Sequence, residues 1–281
     1  MNNKSNSIED KFKIIISVGD ESGIGPEIIL KALFSKEIPQ NLDFIIVGSK
    51  NNLENTYKNL KSLGVKNIVD PNNYQIHDIK IPFEINKQKK SNGNASFFYL
   101  KKAIEIVQKY TNAALVTGPI CKKSWSLAGH NYSGQTELLA ESCQVSDVGM
   151  LFTAKSPITG WRFNTLLATT HIPLSDVPKQ LSTHLIHTKL DLFAKFCKTY
   201  VNKPLLRVAG LNPHAGEEGI LGSEEKDWIK DAVTSWGNKN KELKYQVLFH
   251  LILVGIHLQK LGEIKQLQHM MAFLLCIMIR D

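Results

Sequence analysis

The sequence predicts an α/β protein of two domains, each a mostly parallel sheet with helices on both faces. Short β-rich apolar runs alternate with helical segments along most of the 281 residues. Loops with glycine, proline or histidine follow these runs. A chain of this length is also more typical of two domains than of one. Repetition of strand, loop and helix is typical of a parallel sheet covered by helices.

Five short apolar runs are predicted strands, because each is followed by a loop with turn residues and the first is rich in β-branched residues. They are residues 12–18, 42–47, 113–116, 166–170 and 205–211. Residues 67–93 are predicted to be irregular, with short β runs only.

Helical spacing of apolar residues predicts the segments between the strands. These are residues 28–34, 51–62, 96–110, 136–143, 181–197 and 224–236. The first helix is expected to begin near Pro26, a favourable residue for a first turn. We predict a first domain over residues 1–125, a second over 126–247, and a tail over 248–281 without the turn pattern of the rest.

The composition is that of an ordinary globular protein, with 43% hydrophobic and 21% charged residues. Four scattered cysteines indicate reduced thiols, no secretory signal is visible, and the apolar stretches are too short for a bilayer, so we expect a cytoplasmic protein. The net charge of +8 comes from dispersed lysines. The K-Q-K-K cluster at 87–90 lacks aromatic neighbours, which favours a solvated loop over a nucleic-acid site.

Two histidines follow predicted strands in loops that contain proline. His171 lies in T-T-H-I-P-L and His214 in N-P-H-A-G. A lone histidine is most often a solvated or core residue, but these two occupy equivalent points of successive β–loop–α units. Ligands of α/β proteins collect at such strand ends, and neutral imidazole suits Zn²⁺ and similar ions. The sequence therefore predicts a shared metal site, which needs a third ligand.

Three further loops contain candidate binding groups. The loop G-D-E-S-G-I-G-P-E after the first strand is alone only a tight turn. Lys122 and Lys123 follow the strand at 113–116. They are either contacts for an anion or exposed lysines of a loop. In G-Q-T-E, Gln135 and Thr136 precede a helix, where Thr136 is a candidate cap and the backbone N–H groups suit an anion. His184 and His187 are expected to be structural; Glu217 and Glu218 are expected to form a solvated turn, with one available to support the metal site.

These strings together resemble one family, the 4-hydroxythreonine-4-phosphate dehydrogenases of pyridoxal 5′-phosphate biosynthesis. The matching motifs are G-D-E-S-G-I-G-P-E, V-T-G-P-I-C-K, A-G-H-N-Y-S-G-Q-T-E, T-T-H-I-P-L and G-L-N-P-H-A-G-E-E-G. They lie within residues 13 to about 247. The resemblance implies an isocitrate/isopropylmalate dehydrogenase-like architecture and a homodimer whose active site uses residues of both subunits.

The resemblance also implies the chemistry. NAD (or NADP) would oxidise 4-phosphooxy-L-threonine to 2-amino-3-oxo-4-phosphooxybutanoate, which loses CO₂ to give 3-amino-2-oxopropyl phosphate. A divalent metal (Zn, Mg or Co) would be held by three histidines, of which His171 and His214 match two. Thr136 matches a contact to the substrate phosphate. Gln135 stands where the family usually has histidine, and Glu21 where it usually has proline.

The resemblance stops after Val247, and the third metal histidine with its neighbouring substrate contacts is not found. Read one base out of frame from Gln268 onward, the codons permit T-Y-D-G-I-L-A-M-Y-H-D-Q-G, and Met270 followed by Met271 forces an aspartate there. We therefore hypothesise a frameshift near Val247, which resequencing of the DNA tests. Two alternatives to an active enzyme are an inactive, C-terminally shortened remnant and a related dehydrogenase for another phosphorylated hydroxy acid.

Overall fold

The computed structural model divides the chain into two compact units, Met1–Ser146 and Asp147–Asp281. It describes residues 11–81, 88–158, 160, 162–248 and 276–280. Within these residues no helix is long and apolar enough to cross a membrane.

Unit 1 is built on a four-stranded parallel sheet. Its strands are β1 (Phe12–Ser17), β2 (Leu42–Gly48), β3 (Gln75–Asp78) and β4 (Ala113–Thr117), in the order β3-β2-β1-β4. The two central strands are the most buried, since Ile15 of β1 and Ile46 and Val47 of β2 are fully inaccessible to solvent. All four strands point the same way, so the loops after them meet at one edge of the sheet.

Within the described part of unit 1 there are five α-helices, and α3 contributes to both of its apolar clusters. The helices are α1 (Gly25–Ala32), α2 (Lys50–Ser62), α3 (Gln88–Val107), α4 (Lys122–Leu127) and α5 (Gln135–Ser142). One side of α3, with Tyr99 and Ala103, belongs to the core of the sheet. Another side, with Phe97 and Leu100, packs with residues of α4 and α5.

The packing of α4 and α5 on α3 places the division of the chain later than the predicted 125/126 boundary. Trp125 of α4 is fully buried, and its indole Nε1 donates a 2.8 Å hydrogen bond to the buried Ser96 Oγ of α3. Residues 126–146 consequently belong with unit 1.

Unit 2 contains a mixed five-stranded sheet. Its strands are β5 (Leu151–Lys155), β6 (Arg162–Leu167), β7 (Leu205–Ala209), β8 (Lys244–Leu248) and β9 (Cys276–Arg280), in the order β5-β6-β9-β7-β8. Only β7 and β8 pair in parallel; the other three pairings are antiparallel. Because β6 and β7 are both antiparallel to β9, they run parallel to each other, and their carboxyl ends lie at the same edge.

The core of unit 2 lies between this sheet and two long helices. The helices of the unit are α6 (Val177–Gln180), α7 (Thr183–Cys197) and α8 (Lys230–Lys239), the last preceded by a single π-helical turn, Glu225–Ile229. Leu190 and Phe193 of α7 and Val233 of α8 are fully buried. The buried Trp236 anchors α8 to α7, because its Nε1 donates a 2.7 Å hydrogen bond to Asp191 Oδ1.

The α/β class is confirmed, and all five predicted strands overlap observed ones. The strand predicted over 166–170 is displaced, because β6 covers Arg162–Leu167 and shares only residues 166 and 167 with the prediction. The irregular segment 67–93 contains β3 and the first turn of α3, so Lys89 and Lys90 are helical rather than in a loop. Lys122 and Lys123 begin α4 instead of lying in a loop. The predominantly parallel arrangement holds for unit 1, whereas unit 2 is mixed. Within the tail, predicted to lack the turn pattern of the rest, the structure describes β9, which pairs with both β6 and β7.

Candidate functional site

The two histidine loops of unit 2 leave the sheet at the same edge. His171 follows β6 and His214 follows β7, and only β9 separates these parallel strands. Both histidines are exposed to solvent. With strands about 4.8 Å apart, the two strand ends lie roughly 10 Å from each other. The structure thus places the two predicted metal ligands on neighbouring loops.

Both histidines have left-handed backbone conformations, with φ of 57° at His171 and 50° at His214. At His214 this conformation continues through Ala215, Gly216, Glu217 and Glu218, which form one left-handed turn. Each non-glycine residue in that conformation costs about 1–2 kcal/mol. Such strain persists only where surrounding contacts impose it, and it concentrates at functional sites.

Gly216 is required in this turn for two reasons. Its φ of 79° disfavours side chains, and a Cβ added there would lie 2.2 Å from the carbonyl oxygen of Gly222. The backbone of the N-P-H-A-G motif therefore folds directly against the segment that leads into the helix following it.

The donor chemistry at this edge fits a divalent metal, but the coordination there is incomplete. Imidazole nitrogens are common ligands of Zn²⁺ and Co²⁺. Within the part of the chain that the structure describes, no three His, Cys, Asp or Glu side chains come together in a possible metal site.

In unit 1, hydrogen bonds link the loop after β1, the loop after β4 and the start of α5. The amide of Asp20 donates to the carbonyl oxygen of Pro119 at 2.9 Å, and that of Gly118 to Ser17 at 2.7 Å. Gln135 Nε2 donates to the carbonyl oxygen of Gly118 at 2.9 Å. The residue that replaces the family's usual histidine therefore ties α5 to the V-T-G-P loop.

The start of α5 has both a carboxylate and an ammonium group beside its capping residue. Gly134 is the residue that caps this helix, with no side-chain hydrogen bond, so Thr136 is not the cap and its side chain is exposed. A Cβ added at Gly134 would lie 3.5 Å from Glu137 Oε2 and 3.8 Å from Lys122 Nζ, so a carboxylate and an ammonium group both lie at the helix start. Helix N–H groups, a hydroxyl and an ammonium are donors that bind phosphate.

Glu21 lies in a separate cavity of unit 1, of about 350 Å³. Its carboxylate accepts a hydrogen bond from the Tyr99 hydroxyl. Burial, and then the charges of Asp20 and Asp78, raise the pKa of Glu21 to about 7. Only the departure from the family's usual proline drew attention to this position in the sequence.

Other residues named from the sequence have structural roles. The His130 ring stacks on Phe97 at 3.7 Å, and its Nε2 is 2.9 Å from Asn94 Oδ1. Burial and the charge of Lys101 lower the pKa of His130. His187 Nε2 lies 2.8 Å from the carbonyl oxygen of Ala232 and so joins α7 to α8.

These features define a two-unit α/β protein whose candidate ligand groups lie just beyond the strands, where enzymes of this class bind their substrates. The chain belongs to the family described as pyridoxal phosphate biosynthetic protein PdxA, which it matches over residues 40–246. Its relatives are dehydrogenases, an activity that implies a nicotinamide cofactor, and their name specifies a phosphorylated small-molecule substrate.

Individual relatives agree with this membership. The chain is 43% identical over 236 residues to the 4-hydroxythreonine-4-phosphate dehydrogenase of Synechococcus sp. (strain RCC307), covering 83% of the chain and 71% of the relative. It is 44% identical over 226 residues to the enzyme of that name from Nostoc sp. (strain PCC 7120 / SAG 25.82 / UTEX 2576), covering 77% and 62%. The chain thus spans about two thirds of these relatives' lengths.

A solved structure agrees as well. The crystal structure of 4-hydroxythreonine-4-phosphate dehydrogenase from Klebsiella pneumoniae matches with a TM-score of 0.68 and 25% identity, covering 92% of this chain and 85% of that one.

Proposed function

We propose that this chain carries the substrate and metal loops of an enzyme that oxidises 4-phosphooxy-L-threonine with NAD. The hydride would leave the hydroxyl-bearing carbon for the nicotinamide ring, and the hydroxyl proton would pass to solvent. The resulting β-keto acid, 2-amino-3-oxo-4-phosphooxybutanoate, would lose CO₂ to give 3-amino-2-oxopropyl phosphate. The observation that carries the proposal is the pair of histidine loops beyond β6 and β7 in a member of this dehydrogenase family.

His171 and His214 would hold a divalent metal, with Zn²⁺, Mg²⁺ or Co²⁺ as candidates. A bound metal lowers the pKa of a coordinated hydroxyl and polarises the forming ketone. The exposure of both imidazoles leaves them accessible to a metal and a substrate.

Gln135 and Thr136 would bind the substrate phosphate at the start of α5. The Thr136 hydroxyl and the N–H groups of the first helical turn would supply neutral donors, and Lys122 Nζ near Gly134 would supply charge. The Glu137 carboxylate at this helix start would have to turn away from the phosphate. Gln135 contributes an amide in place of an imidazole, so it donates a hydrogen bond but carries no proton. The hydrogen bond from Gln135 to Gly118 would fix the position of this helix start relative to the V-T-G-P loop.

We further propose a cytoplasmic homodimer with a shared active site and no nucleic-acid or membrane partner. The edge strand β5 supports the dimer, since among the described strands it pairs with β6 alone and leaves Phe152 46% exposed. Ile158, in the turn after β5, is 87% exposed. Exposed apolar groups beside an open strand edge favour association with another chain. A monomeric mass by light scattering across micromolar concentrations would contradict this part.

The activity test measures NADH formation from 4-phosphooxy-L-threonine with and without added Zn²⁺, Mg²⁺ or Co²⁺. It uses the 281-residue chain and a chain translated in the shifted frame after Val247. We expect metal-dependent turnover by the frame-shifted chain. Turnover by that chain alone identifies the 281-residue product as an inactive remnant, whereas turnover only with another phosphorylated hydroxy acid identifies a related dehydrogenase.

Replacing His214 with asparagine tests the metal assignment. Asparagine adopts left-handed backbone readily, so the loop is preserved while the imidazole is lost. We expect at least a 100-fold loss of activity in the active form of the chain. Full activity in His214→Asn would reject His214 as a ligand, and the exposed His184→Asn serves as a control that should retain activity.

A further inference from the structure

Asn212, two residues before His214, donates three hydrogen bonds to carboxylate oxygens. Its backbone N–H donates to Glu225 Oε1 at 2.6 Å. Its side-chain Nδ2 donates to Glu225 Oε2 at 2.8 Å and to Glu224 Oε2 at 2.7 Å. The residue at the entrance of the left-handed turn is therefore fixed through both its backbone and its side chain.

Glu225 is the principal partner, and it is an unusual residue to find buried. Only 2% of its surface is exposed, although it is an acidic residue in the π-helical turn before α8. Carboxylates are almost never this buried without hydrogen-bonding partners that offset the loss of hydration. Both of its oxygens receive hydrogen bonds from Asn212, which supplies that compensation.

The surrounding backbone leaves Asn212 little freedom to move. A Cβ added at Gly222 would lie 2.4 Å from Asn212 Cγ, so the amide of Asn212 is pressed against this backbone. The Asn212 carbonyl oxygen in turn accepts a 2.9 Å hydrogen bond from the amide of Ala215, which closes the turn around His214. Displacing Asn212 would thus displace the start of the turn.

We infer that Glu225 is a positioning residue for His214, acting through Asn212. Two donors of Asn212 converge on its two oxygens, and only a carboxylate accepts at both positions. Glu217 and Glu218, closer in sequence, are exposed and lie within the strained turn itself. The meaning of this role for catalysis rests on the proposed function, while the positioning itself concerns the loop alone.

The test compares Glu225→Gln with Glu224→Gln in the full-length chain. Glutamine at 225 keeps one acceptor and turns an N–H donor toward Asn212, whereas glutamine at 224 still accepts its single bond. We expect hydrogen exchange of the peptide covering residues 205–222 to accelerate at least 10-fold in Glu225→Gln and less than 3-fold in Glu224→Gln. Exchange of a peptide from α7 should stay unchanged in both, which excludes general unfolding of unit 2.

A second measurement separates positioning from mere stabilisation. Zn²⁺ affinity, measured by competition with a chromophoric chelator, should fall about 10-fold in Glu225→Gln and in Asn212→Ala. In the double variant it should fall no further than in Glu225→Gln alone, because both changes break one connection. Additive losses, or exchange at residues 205–222 unaffected by Glu225→Gln, would overturn the inference.

The two measurements also distinguish this inference from the proposed function. If the unsubstituted chain binds no Zn²⁺, the metal assignment fails for this chain, and the exchange comparison alone decides whether Glu225 holds the loop. If Asn212→Ala accelerates exchange but Glu225→Gln does not, Glu225 is rejected as the positioning residue whatever the metal result.

Discussion

The two candidate binding loops, one in each unit, are held in opposite ways. Gln135 at the start of α5 lies in relaxed, extended-to-helical backbone and is tied by a neutral bond to the carbonyl oxygen of Gly118. His214 lies in a left-handed turn that is held by a buried carboxylate. The backbone at Gln135 adopts a conformation that its own residues prefer. The backbone of the turn at His214 adopts a conformation that contacts from outside the turn impose.

This difference indicates what each loop can tolerate. A phosphate contact made by several helix N–H groups is shared among many donors, so small displacements change it little. A metal ligand must lie within about 0.2 Å of its preferred distance. The loop with the stricter geometric demand is the one that has backbone strain and a dedicated support.

The largest expected effect comes from Gly216→Ala. The new Cβ would meet the carbonyl oxygen of Gly222 at 2.2 Å in a backbone with φ of 79°, so we expect a loss of about 3 kcal/mol in the free energy of unfolding. Gly134→Ala is the matched change in the other loop, where the nearest atom would be 3.5 Å away. It should cost less than about 1 kcal/mol. Equal losses of unfolding free energy in the two variants, measured by urea denaturation, would show that the two loops do not differ in this way.

A smaller effect is expected from Gln135→Ala. This change removes the partly buried hydrogen bond to Gly118, which typically contributes about 1 kcal/mol. Gln40→Ala, at an exposed position of the same unit, provides the control and should be neutral. Unfolding free energies that agree for the two variants would mean that Gln135 does not hold the helix start.

A further expected effect concerns the pH dependence of stability and Glu21. Because the pKa of Glu21 rises from 4.5 to about 7 on folding, the native state keeps a proton that the unfolded state releases. Its contribution to stability is therefore complete below pH 4.5 and is lost as the pH rises to 7 and beyond. In Glu21→Gln this loss should disappear, which urea midpoints at pH 5 and pH 7.5 measure. An unchanged pH dependence would show that Glu21 titrates normally.

Most of the fold could be predicted because the runs that form β1, β2, β4 and β7 are mainly apolar and end at glycine, while the Leu166–Leu167 end of β6 leads into a loop that contains proline. The strand β3 could not, since Q-I-H-D has a single apolar residue and becomes a strand only by pairing with β2. The short helix α4 was missed for a related reason. Its buried Trp125 finds its partner, Ser96, far away in the sequence.

The candidate site likewise has one part that could be predicted from the sequence and one part that could not. The histidine loops were predictable because their proline and glycine residues mark turns directly after strands. The support by Glu225 was not, since a pair of glutamates at a helix start is ordinarily a solvated first turn. The close approach of Gly222 to Asn212 accompanies the contact of the Glu224 and Glu225 carboxylates with the loop that contains His214.

The left-handed turn at residues 214–218 changes how substitutions there should be compared. Alanine is the usual reference residue in a scan because it removes a side chain without altering the backbone. In this turn alanine itself resists the conformation, so a loss measured against it mixes the side chain with the main chain. Glycine is the neutral reference at these five positions, and the contribution of each side chain is the difference from glycine.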